Sequence, residues 1–363
     1  MSVPSEMPGW PAPLHQFFLV WERGGWVGVD LFFVLSGFLV SGLLFTEYLS
    51  RGTVAPWNFY LRRGWKIYPA FWCLIAVSVI LLPATGWPFS GPRLAAELLF
   101  VQNYYPGLWN HTWSLAVEEH FYLMLPLLFW VVTSSARRSR SSLQPILYVA
   151  AALSGIVFLV RIMNWQLHPE YTHSDHLITT HLRFDSLMFG VVLAYAFYLH
   201  PEKFAAIFSR WCKPFLSIGA ACFIPAFVWP LGTNAFVYTA GFTLFQLGAG
   251  MLVVAALLLP APTGYLPRLL ARLGAYSYSI YLWHLAVIIH LMPALRLPLP
   301  FPIRFVVTFV VVMVVGVGLA KIIEMPALKL RDRWVPSRAG PMPVPVEATT
   351  AVAVDGAAGR VAV

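Results

Sequence analysis

The amino-acid sequence predicts an all-α polytopic membrane protein with about nine or ten transmembrane helices in one bundle. Of the 363 residues, 59% are hydrophobic and only 11% are charged, whereas charged residues make up about a quarter of a typical soluble domain. The mean hydropathy is +0.71. Apolar runs of about 20 residues, long enough to cross a bilayer, recur along nearly the whole chain. They lack the alternation of barrel strands, so helices are the remaining way to satisfy the backbone in lipid.

Nine of these runs are candidate spans. A further apolar piece, residues 94–102, is too short to cross unaided and is either re-entrant or a short tenth helix. The predicted spans cover residues 28–47, 68–85, 114–133, 145–163, 176–198, 213–231, 237–259, 274–293 and 303–323.

The loops between the predicted spans alternate in charge. Loops 164–175 and 232–236 contain no Lys or Arg, whereas the intervening loops and the C-terminal tail are basic. Because cytoplasmic loops carry an excess of Lys and Arg, we expect a multi-pass protein of the cell membrane with its C-terminus in the cytoplasm. The predicted organisation is an outside-facing N-terminal segment (1–27), a membrane domain (28–330) and a disordered cytoplasmic tail (331–363).

Several functional classes lack support in the sequence. The net charge of +9 does not indicate nucleic-acid binding, because the basic residues lie in short loops between spans. Cys73, Cys212 and Cys222 lie in apolar runs without CxxC spacing, so neither a disulfide framework nor a metal site is predicted. No P-loop, GxSxG, GxGxxG or HExxH motif is present, and nothing favours a nucleotidase, a hydrolase or a metalloprotease.

Ionisable residues inside predicted spans are costly and are candidates for function. Asp30 begins the first span and is either a cavity residue or an interfacial cap. It shares a helical face with Gly37 and Ser41, a pair of small residues suited to close helix packing. Arg183 lies in the fifth span. Because Asp185 points elsewhere on the same helix, we expect the partner of Arg183 on another span.

Three cations precede Pro69 in the stretch "FYLRRGWKIYPAFW". Arg62 and Lys66 are neighbours on one helical face, and Arg63 lies beside them. They either anchor the chain at the cytoplasmic surface and bind anionic lipid, or bind the phosphates of a cytosolic donor.

The stretch "HTWSLAVEEHFYLMLPLLFWVV" (111–132) carries two glutamates at the start of a span. Ser114, Glu118 and Tyr122 share one face, and Glu119 lies beside it. Carboxylates among apolar walls suit acid-base work or the orientation of a histidine. The alternative is a helix start whose acids complement the helix dipole. His284, near the middle of the eighth span, is either a cavity residue or a hydrogen-bonded packing residue.

Taken together, these pieces resemble the acyltransferase-3 family of integral membrane O-acyltransferases. Any one stretch is weak, but the set follows the family's order along nearly the whole chain. The matching stretches are "GVDLFFVLSGFL" (28–39), "FYLRRGWKIYPAF" (59–71), "QNYYPGLWNHTWSLAVEEHFYLMLPLL" (102–128), "RFDSLMFG" (183–190), "YSYSIYLWH" (276–284) and "IEMPALKL" (323–330).

The resemblance implies an enzyme that moves an acyl group, usually acetyl from acetyl-CoA, to a hydroxyl of a sugar, polysaccharide or glycosylated small molecule. It implies no permanently bound cofactor, since acyl-CoA is the donor substrate. The family's Arg-rich stretch is implicated in binding CoA, which implies this role for Arg62 and Arg63, with Lys66 beside them.

The resemblance also implies catalytic residues. The family's catalytic histidine lies shortly before the GVD stretch, where His15 stands in this sequence, and the family's acidic pair matches Glu118 and Glu119. The hypothesis is that the acids orient or charge-stabilise His15, which deprotonates the acceptor hydroxyl or accepts the acyl group transiently. The residues expected to line or brace the cavity are Asp30, Ser114, Tyr122, Arg183 and His284.

The sequence departs from the family at its start. The family's first helix precedes the histidine, whereas only fourteen residues precede His15, so we favour a start codon placed too late over loss of the helix. The main rival function is a transporter or flippase of a glycosylated substrate, although no internal repeat supports it. The third hypothesis is that the chain is an inactive, truncated paralogue.

Overall fold

The computed structural model describes residues 11–134, 143–260 and 263–340. Within these ranges the chain is helical and contains no strand, which confirms the predicted fold class. Eight helical segments of the described residues are long and apolar enough to cross a membrane. A ninth span is counted if the segments Tyr265–Ala275 and Ser277–Ala294, which meet at a bend of 72°, cross as one unit.

The helices follow one another with short connections. In chain order they are α1 (Ala12–Gly24), α2 (Gly28–Arg51), α3 (Pro56–Thr85), α4 (Gly91–Leu98), α5 (Trp113–Ser134), α6 (Gln144–Leu167), α7 (His173–His176), α8 (Thr180–Leu199), α9 (Pro201–Phe208), α10 (Cys212–Ala221), α11 (Ile224–Val228), α12 (Ala235–Tyr238), α13 (Ala240–Leu258), α14 (Tyr265–Ala275), α15 (Ser277–Ala286), α16 (Met292–Ala294), α17 (Phe301–Leu319) and α18 (Met325–Trp334). Short π-helical segments, Val287–Leu291 and Ala320–Glu324, link α15 to α16 and α17 to α18.

The N-terminal part of the chain is more helical than the sequence suggested. Within the segment 1–27, helix α1 begins at Ala12 and continues into α2 through one turn of 3-10 helix, Gly25–Val27. Together they form one apolar stretch of 40 residues, Ala12–Arg51. Residues 1–10 lie outside the described ranges. His15 is therefore carried by a helix directly joined to the first predicted span.

Helices α2 and α8 form the centre of the bundle and approach each other closely. A Cβ atom at Gly37 would overlap the carbonyl oxygen of Leu187, and one at Gly190 would overlap the carbonyl oxygen of Val34. Small residues let two helix backbones approach within such distances. The predicted role of Gly37 in close helix packing is confirmed. The core around this contact is largely aromatic and includes Phe33, Phe38, Phe45, Phe121 and Phe129.

The predicted disordered tail begins too early at residue 331. Helix α18 continues to Trp334, and residues beyond it still contact the bundle. Arg338 pairs with Glu47, and the carbonyl oxygen of Val335 accepts a hydrogen bond from Arg62. Basic side chains at a helix C-terminus complement its dipole, and this ion pair and this hydrogen bond hold the segment in place. Residues 341–363 lie outside the described ranges.

Two ends of the bundle are distinguished by their side chains. We call the end that holds Arg51, Arg62, Lys66, Arg331 and Arg338 the basic end. Helix α3 runs away from it, and helix α5 runs back towards it. We call the other end, which holds the loop 99–112, the far end.

Candidate functional site

A buried group of charged residues lies where α3 meets α5. It consists of Arg63, Glu118, Glu119 and Tyr122, and we call it the acid–arginine cluster. The guanidinium carbon of Arg63 lies 3.9 Å from the ring centroid of Tyr122, and Arg63 also donates to the Tyr122 hydroxyl. Glu118 and Tyr122 are one helical turn apart on α5, so both face α3. Both residues lie on one face of this helix, as the sequence predicted, and their chemical role stays a prediction.

Residues of two further helices complete the environment of the acids. The Ser36 hydroxyl of α2 lies 2.6 Å from the Tyr122 hydroxyl. The Tyr68 hydroxyl of α3 donates to Glu119 Oε2 at 3.1 Å. Glu118 and Glu119 are only 2% and 6% exposed. Arg63 is an electrostatic neighbour of both buried carboxylates, and Glu118 Oε1 and Glu119 Oε1 have no hydrogen-bond partner among the described residues.

A cavity of about 210 Å³ opens next to this cluster at the basic end. Its lining brings together the cations that the sequence singled out, with one more from α18: Arg62, Arg63, Lys66 and Arg331. Arg62 Nη2 also lies 2.9 Å from Asp332 Oδ1. The lining also contains the carboxylate of Glu47, so four cations face one acid, an excess of positive charge that suits a phosphate-bearing ligand.

A wider groove of about 580 Å³ runs along the outside of α3 and α5. Glu119, Tyr122 and Arg63 lie at its polar part, while exposed aromatic side chains such as Trp57 and Trp72 form its walls. Arg63 lines both this groove and the basic-end cavity. The acid–arginine cluster therefore separates a cationic cavity from a largely apolar groove.

Lys66 is held by a residue that sequence reasoning did not select. Its ammonium group pairs with Glu324, which is 1% exposed. Glu324 Oε2 also accepts a hydrogen bond from the Ser279 hydroxyl at 2.6 Å. Glu324 ends the π-helical segment of the last span, and such segments often occur at functional sites. The stretch "IEMPALKL" contained this glutamate, and its place at the end of a span was the signal that could have identified it.

A second polar group lies at the far end of α5. The Ser114 hydroxyl lies 2.5 Å from the Tyr281 hydroxyl, which donates to the carbonyl oxygen of His111 at 2.6 Å. The rings of His111 and His284 are in contact, with centroids 4.8 Å apart. His111 Nε2 lies 3.0 Å from the carbonyl oxygen of Leu282. The structure thus joins the predicted residues Ser114 and His284 through two residues that sequence reasoning did not choose.

His15 is half-buried on α1. One turn later on the same helix, Phe18 packs on Phe301 and Phe305 of α17, with ring centroids 5.3 Å and 5.0 Å away. Phe305 lines a cavity of about 570 Å³ together with His284. The helix that carries His15 therefore borders the region of His284, and the catalytic role of His15 stays a prediction.

Asp30 and Arg183 form part of a separate buried group. Arg183 Nη2 lies 2.7 Å from Asp30 Oδ1, which confirms that the partner of Arg183 is on another span. Asp185 pairs instead with Arg161 of α6, and the Arg161 guanidinium also donates to Thr243 at 2.9 Å. We call Asp30, Arg161, Arg183 and Asp185 the bracing network. All four side chains are at most 2% exposed, so they join helices rather than line an open cavity.

Arg161 was missed although the sequence carries a signal for it. It stands inside the predicted span 145–163, where an arginine is costly and needs a partner. By contrast, Ser36 and Tyr68 carry no signal in the sequence, because nothing about a serine or tyrosine near a span shows which carboxylate it contacts. Among the residues that the structure describes, no three His, Cys, Asp or Glu side chains converge to hold a metal ion.

Comparison with known proteins bears on the chemistry of this arrangement. A family model described as an acyltransferase domain, acyltransferase-3, matches residues 3–321. The chain belongs to the acyltransferase-3 family. The matched residues include the acid–arginine cluster, the bracing network, and Arg62, Arg63 and Lys66 of the basic-end cavity.

Curated relatives of this acyltransferase-3 chain are O-acetyltransferases. It is 27% identical to the peptidoglycan O-acetyltransferase OatA of Listeria monocytogenes over 307 residues, which are 77% of this chain and 47% of the relative. It is 27% identical to the O-acetyltransferase OatA of Staphylococcus aureus over 297 residues, which are 74% of this chain and 47% of the relative. The chain therefore spans about half the length of the curated relatives it matches. No solved structure matches it.

Proposed function

We propose that this chain is a membrane O-acyltransferase that moves an acetyl group from acetyl-CoA to a hydroxyl of a sugar-containing acceptor. One observation supports this proposal above the others. Arg63 belongs both to the wall of a cavity lined by four cations and to a buried cluster with two carboxylates. Phosphate binding and acid-base chemistry are thus available at neighbouring positions, as a CoA-dependent transfer needs.

The donor is expected to lie with its phosphates in the basic-end cavity. Guanidinium groups bind phosphate oxygens through paired hydrogen bonds, and Arg62 and Arg63 supply two of them. A cavity of about 210 Å³ takes only part of CoA, so the remainder extends out of it. We propose that the basic end faces the cytoplasm, where acyl-CoA is available.

The reaction is a transfer between a thioester and a hydroxyl. The acceptor oxygen attacks the thioester carbonyl carbon, its proton passes to a base, the C–O bond forms and the C–S bond breaks. CoA leaves as a thiolate and takes up the proton. We propose His15 as the base, with Glu118 and Glu119 stabilising the charge that it gains. General-base assistance of this kind raises a rate by roughly 100- to 10,000-fold.

The acceptor class rests on the relatives. The Listeria relative is called a peptidoglycan O-acetyltransferase, and a polysaccharide of this kind offers many hydroxyl groups. A transporter or flippase remains the competing function, because it would also need buried charges. It would not need to bind acetyl-CoA at the basic end.

The donor site is tested by acetyl transfer from radiolabelled acetyl-CoA with protein reconstituted in lipid nanodiscs. Arg62→Ala removes one charged hydrogen-bond donor, which is worth about 1.5–3 kcal/mol. We expect the KM for acetyl-CoA to rise about 10- to 100-fold. Lys203→Ala, at an exposed position of α9, is the matched control and should leave this KM unchanged. A wild-type protein that neither binds nor uses acetyl-CoA would favour the transporter.

The base is tested by three histidine variants in the same assay. We expect His15→Ala to abolish transfer, while His200→Ala, at an exposed position, keeps it. His284→Ala separates the alternatives. If His284→Ala abolishes transfer and His15→Ala does not, the base belongs to the His111–His284 pair instead.

A further inference from the structure

The far end of the bundle contains a cavity of about 460 Å³, and no residue of the acid–arginine cluster lines it. It lies between the segment 102–113 and residues 173–178. Four aromatic side chains line it: Tyr104, Tyr105, Trp109 and Trp113. Tyr105 is 67% exposed, so one of these rings presents much of its face to a ligand.

The polar side chains of this cavity are uncharged or weakly basic. They are Gln102, Asn110, His173 and Ser174, and its lining contains no Lys, Arg, Asp or Glu. The basic-end cavity has the opposite character, with four cations and one carboxylate in its lining. A phosphate-bearing ligand therefore fits the basic end, whereas a neutral ligand with many hydroxyl groups fits the far end.

Gln102 supplies a specific polar group. It is 5% exposed, and its Nε2 donates to the carbonyl oxygen of Thr112 at 2.9 Å. Its Oε1 has no hydrogen-bond partner among the described residues. An unsatisfied buried acceptor is unfavourable, and a ligand hydroxyl that reached it would satisfy it.

The loop that forms the cavity is held rigidly. The Glu97 carboxylate accepts hydrogen bonds from the backbone N–H groups of Leu108 and Trp109, at 2.8 Å and 3.4 Å. A Cβ atom at Gly107 would overlap that carboxylate, so only glycine fits there. The Trp109 indole N–H donates to the Ser78 hydroxyl at 2.8 Å. A site ordered before binding loses less entropy when its ligand arrives.

Helix α5 joins this cavity to the acid–arginine cluster. Trp113, which lines the cavity, is the first residue of α5. Glu118 follows five residues later, about 7.5 Å along the helix axis at 1.5 Å per residue. A sugar bound at Trp113 therefore presents its hydroxyl groups within about two helical turns of the carboxylates.

From these observations we infer that the far-end cavity is the acceptor subsite and binds a neutral sugar residue of a glycan. The aromatic rings would contact the apolar face of the sugar, and Gln102 and Asn110 would bind its hydroxyl groups. This inference rests on the proposed O-acyltransferase function. It adds where the acceptor binds and that the bound sugar is uncharged.

The test uses nanodisc protein and a radiolabelled tetrasaccharide of N-acetylglucosamine, which is neutral. Equilibrium binding gives its Kd, and acetyl transfer gives separate KM values for the tetrasaccharide and for acetyl-CoA. Tyr105→Ala loses one aromatic contact with the sugar. We expect its Kd for the tetrasaccharide and its acceptor KM to rise about tenfold, while the KM for acetyl-CoA stays unchanged. Asn110→Ala should also raise the Kd for the tetrasaccharide and the acceptor KM. Tyr105→Trp should restore binding, and Tyr265→Ala, another exposed tyrosine (81% exposed), is the matched control.

The outcomes separate this inference from the proposed function. Acetylation by wild type with an unchanged acceptor KM and Kd in Tyr105→Ala and Asn110→Ala would overturn the subsite and leave the function intact. Binding that is lost in those variants, without any acetylation by wild type, would support the subsite and overturn the function. Absence of tetrasaccharide binding by wild type would overturn the subsite.

Discussion

Two groups of buried charge both touch α2, yet they are built differently. The bracing network pairs two arginines with two aspartates, Arg183 with Asp30 and Arg161 with Asp185. The acid–arginine cluster sets one arginine against two glutamates and opens onto a cavity and a groove. A balanced, closed network holds helices together. In the unbalanced, open cluster, Glu119 lines the groove and can act on a ligand there.

The aromatic surroundings of the two groups strengthen this distinction. The guanidinium carbon of Arg183 lies 3.8 Å from the ring centroid of Phe242, and the rings of Phe33 and Trp113 are close as well. Cation–π contacts in such desolvated sites are worth up to about 2 kcal/mol. Arg183 is therefore fixed from several sides. Arg63 has one such contact, with Tyr122, and also faces both openings.

The largest expected effect comes from neutralising the open cluster. Glu118→Gln keeps the shape of the side chain and removes its charge. We expect acetyl transfer to slow by at least about 100-fold, because a buried carboxylate that stabilises a catalytic histidine can be worth up to about 10,000-fold. Single-turnover transfer from acetyl-CoA measures the change. The thermal midpoint should stay close to that of wild type, and Glu202→Gln, at an exposed position of α9, is the control. An active Glu118→Gln protein would remove the difference between the two groups.

The next largest effect is on stability and comes from the closed network. Arg183→Leu leaves Asp30 buried without its partner, so we expect a loss of about 3–5 kcal/mol in the free energy of unfolding. The double variant Asp30→Leu/Arg183→Leu removes both charges and should recover most of that loss. Denaturant unfolding in detergent micelles measures all three proteins. Strictly additive losses from Asp30→Leu and Arg183→Leu would show that the pair is not coupled.

A smaller loss is expected where α2 meets α8. Gly37→Ala would place a methyl group against the carbonyl oxygen of Leu187, and such overpacking costs about 1–3 kcal/mol. Gly28→Ala is the matched control, because a Cβ atom there meets nothing within 4 Å. The two variants are compared by thermal unfolding. Equal midpoints would mean that α2 and α8 are not in close contact.

The smallest effect concerns the loop that borders the far-end cavity. Burial raises the pKa of Glu97 above its usual value of 4.5. The folded protein therefore holds the Glu97 proton more tightly than the unfolded chain does. The stability that this protonated side chain contributes is present below about pH 4.5 and is lost as the pH rises towards the raised pKa. Glu97→Gln should remove this contribution and flatten the decline of the thermal midpoint above pH 4.5, measured against Glu202→Gln. If the thermal midpoint of Glu97→Gln declined as steeply as that of wild type, Glu97 would not be the source of the decline.

The sequence predicted the parts of this fold that depend on length, hydropathy and local spacing. The apolar runs indicated the helical spans, Gly37 and Ser41 indicated close packing of α2, and the position of Arg183 indicated a partner on another span. The break of the predicted span 213–231 into short helices was not predicted. Pro225 lies at the start of α11, and a proline disfavours helix in the residue before it.

The site was less predictable because it depends on which helices meet. The face shared by Ser114, Glu118 and Tyr122 followed from helical spacing. The contacts of Tyr122 with Ser36 and Arg63 did not, because they join three separate helices. The far-end cavity was not predicted either, since the segments 102–113 and 173–178 carry no periodicity that would bring them together.

The most direct test compares the two groups in one experiment. The rate of acetyl transfer per folded molecule is measured for Glu118→Gln and for Asp30→Leu/Arg183→Leu, below the thermal midpoint of both. We expect Glu118→Gln to be at least about 100-fold slower than wild type and the double variant to keep its rate within a few-fold. A fast Glu118→Gln protein beside a folded but inactive double variant would contradict the account and place the chemistry in the closed network.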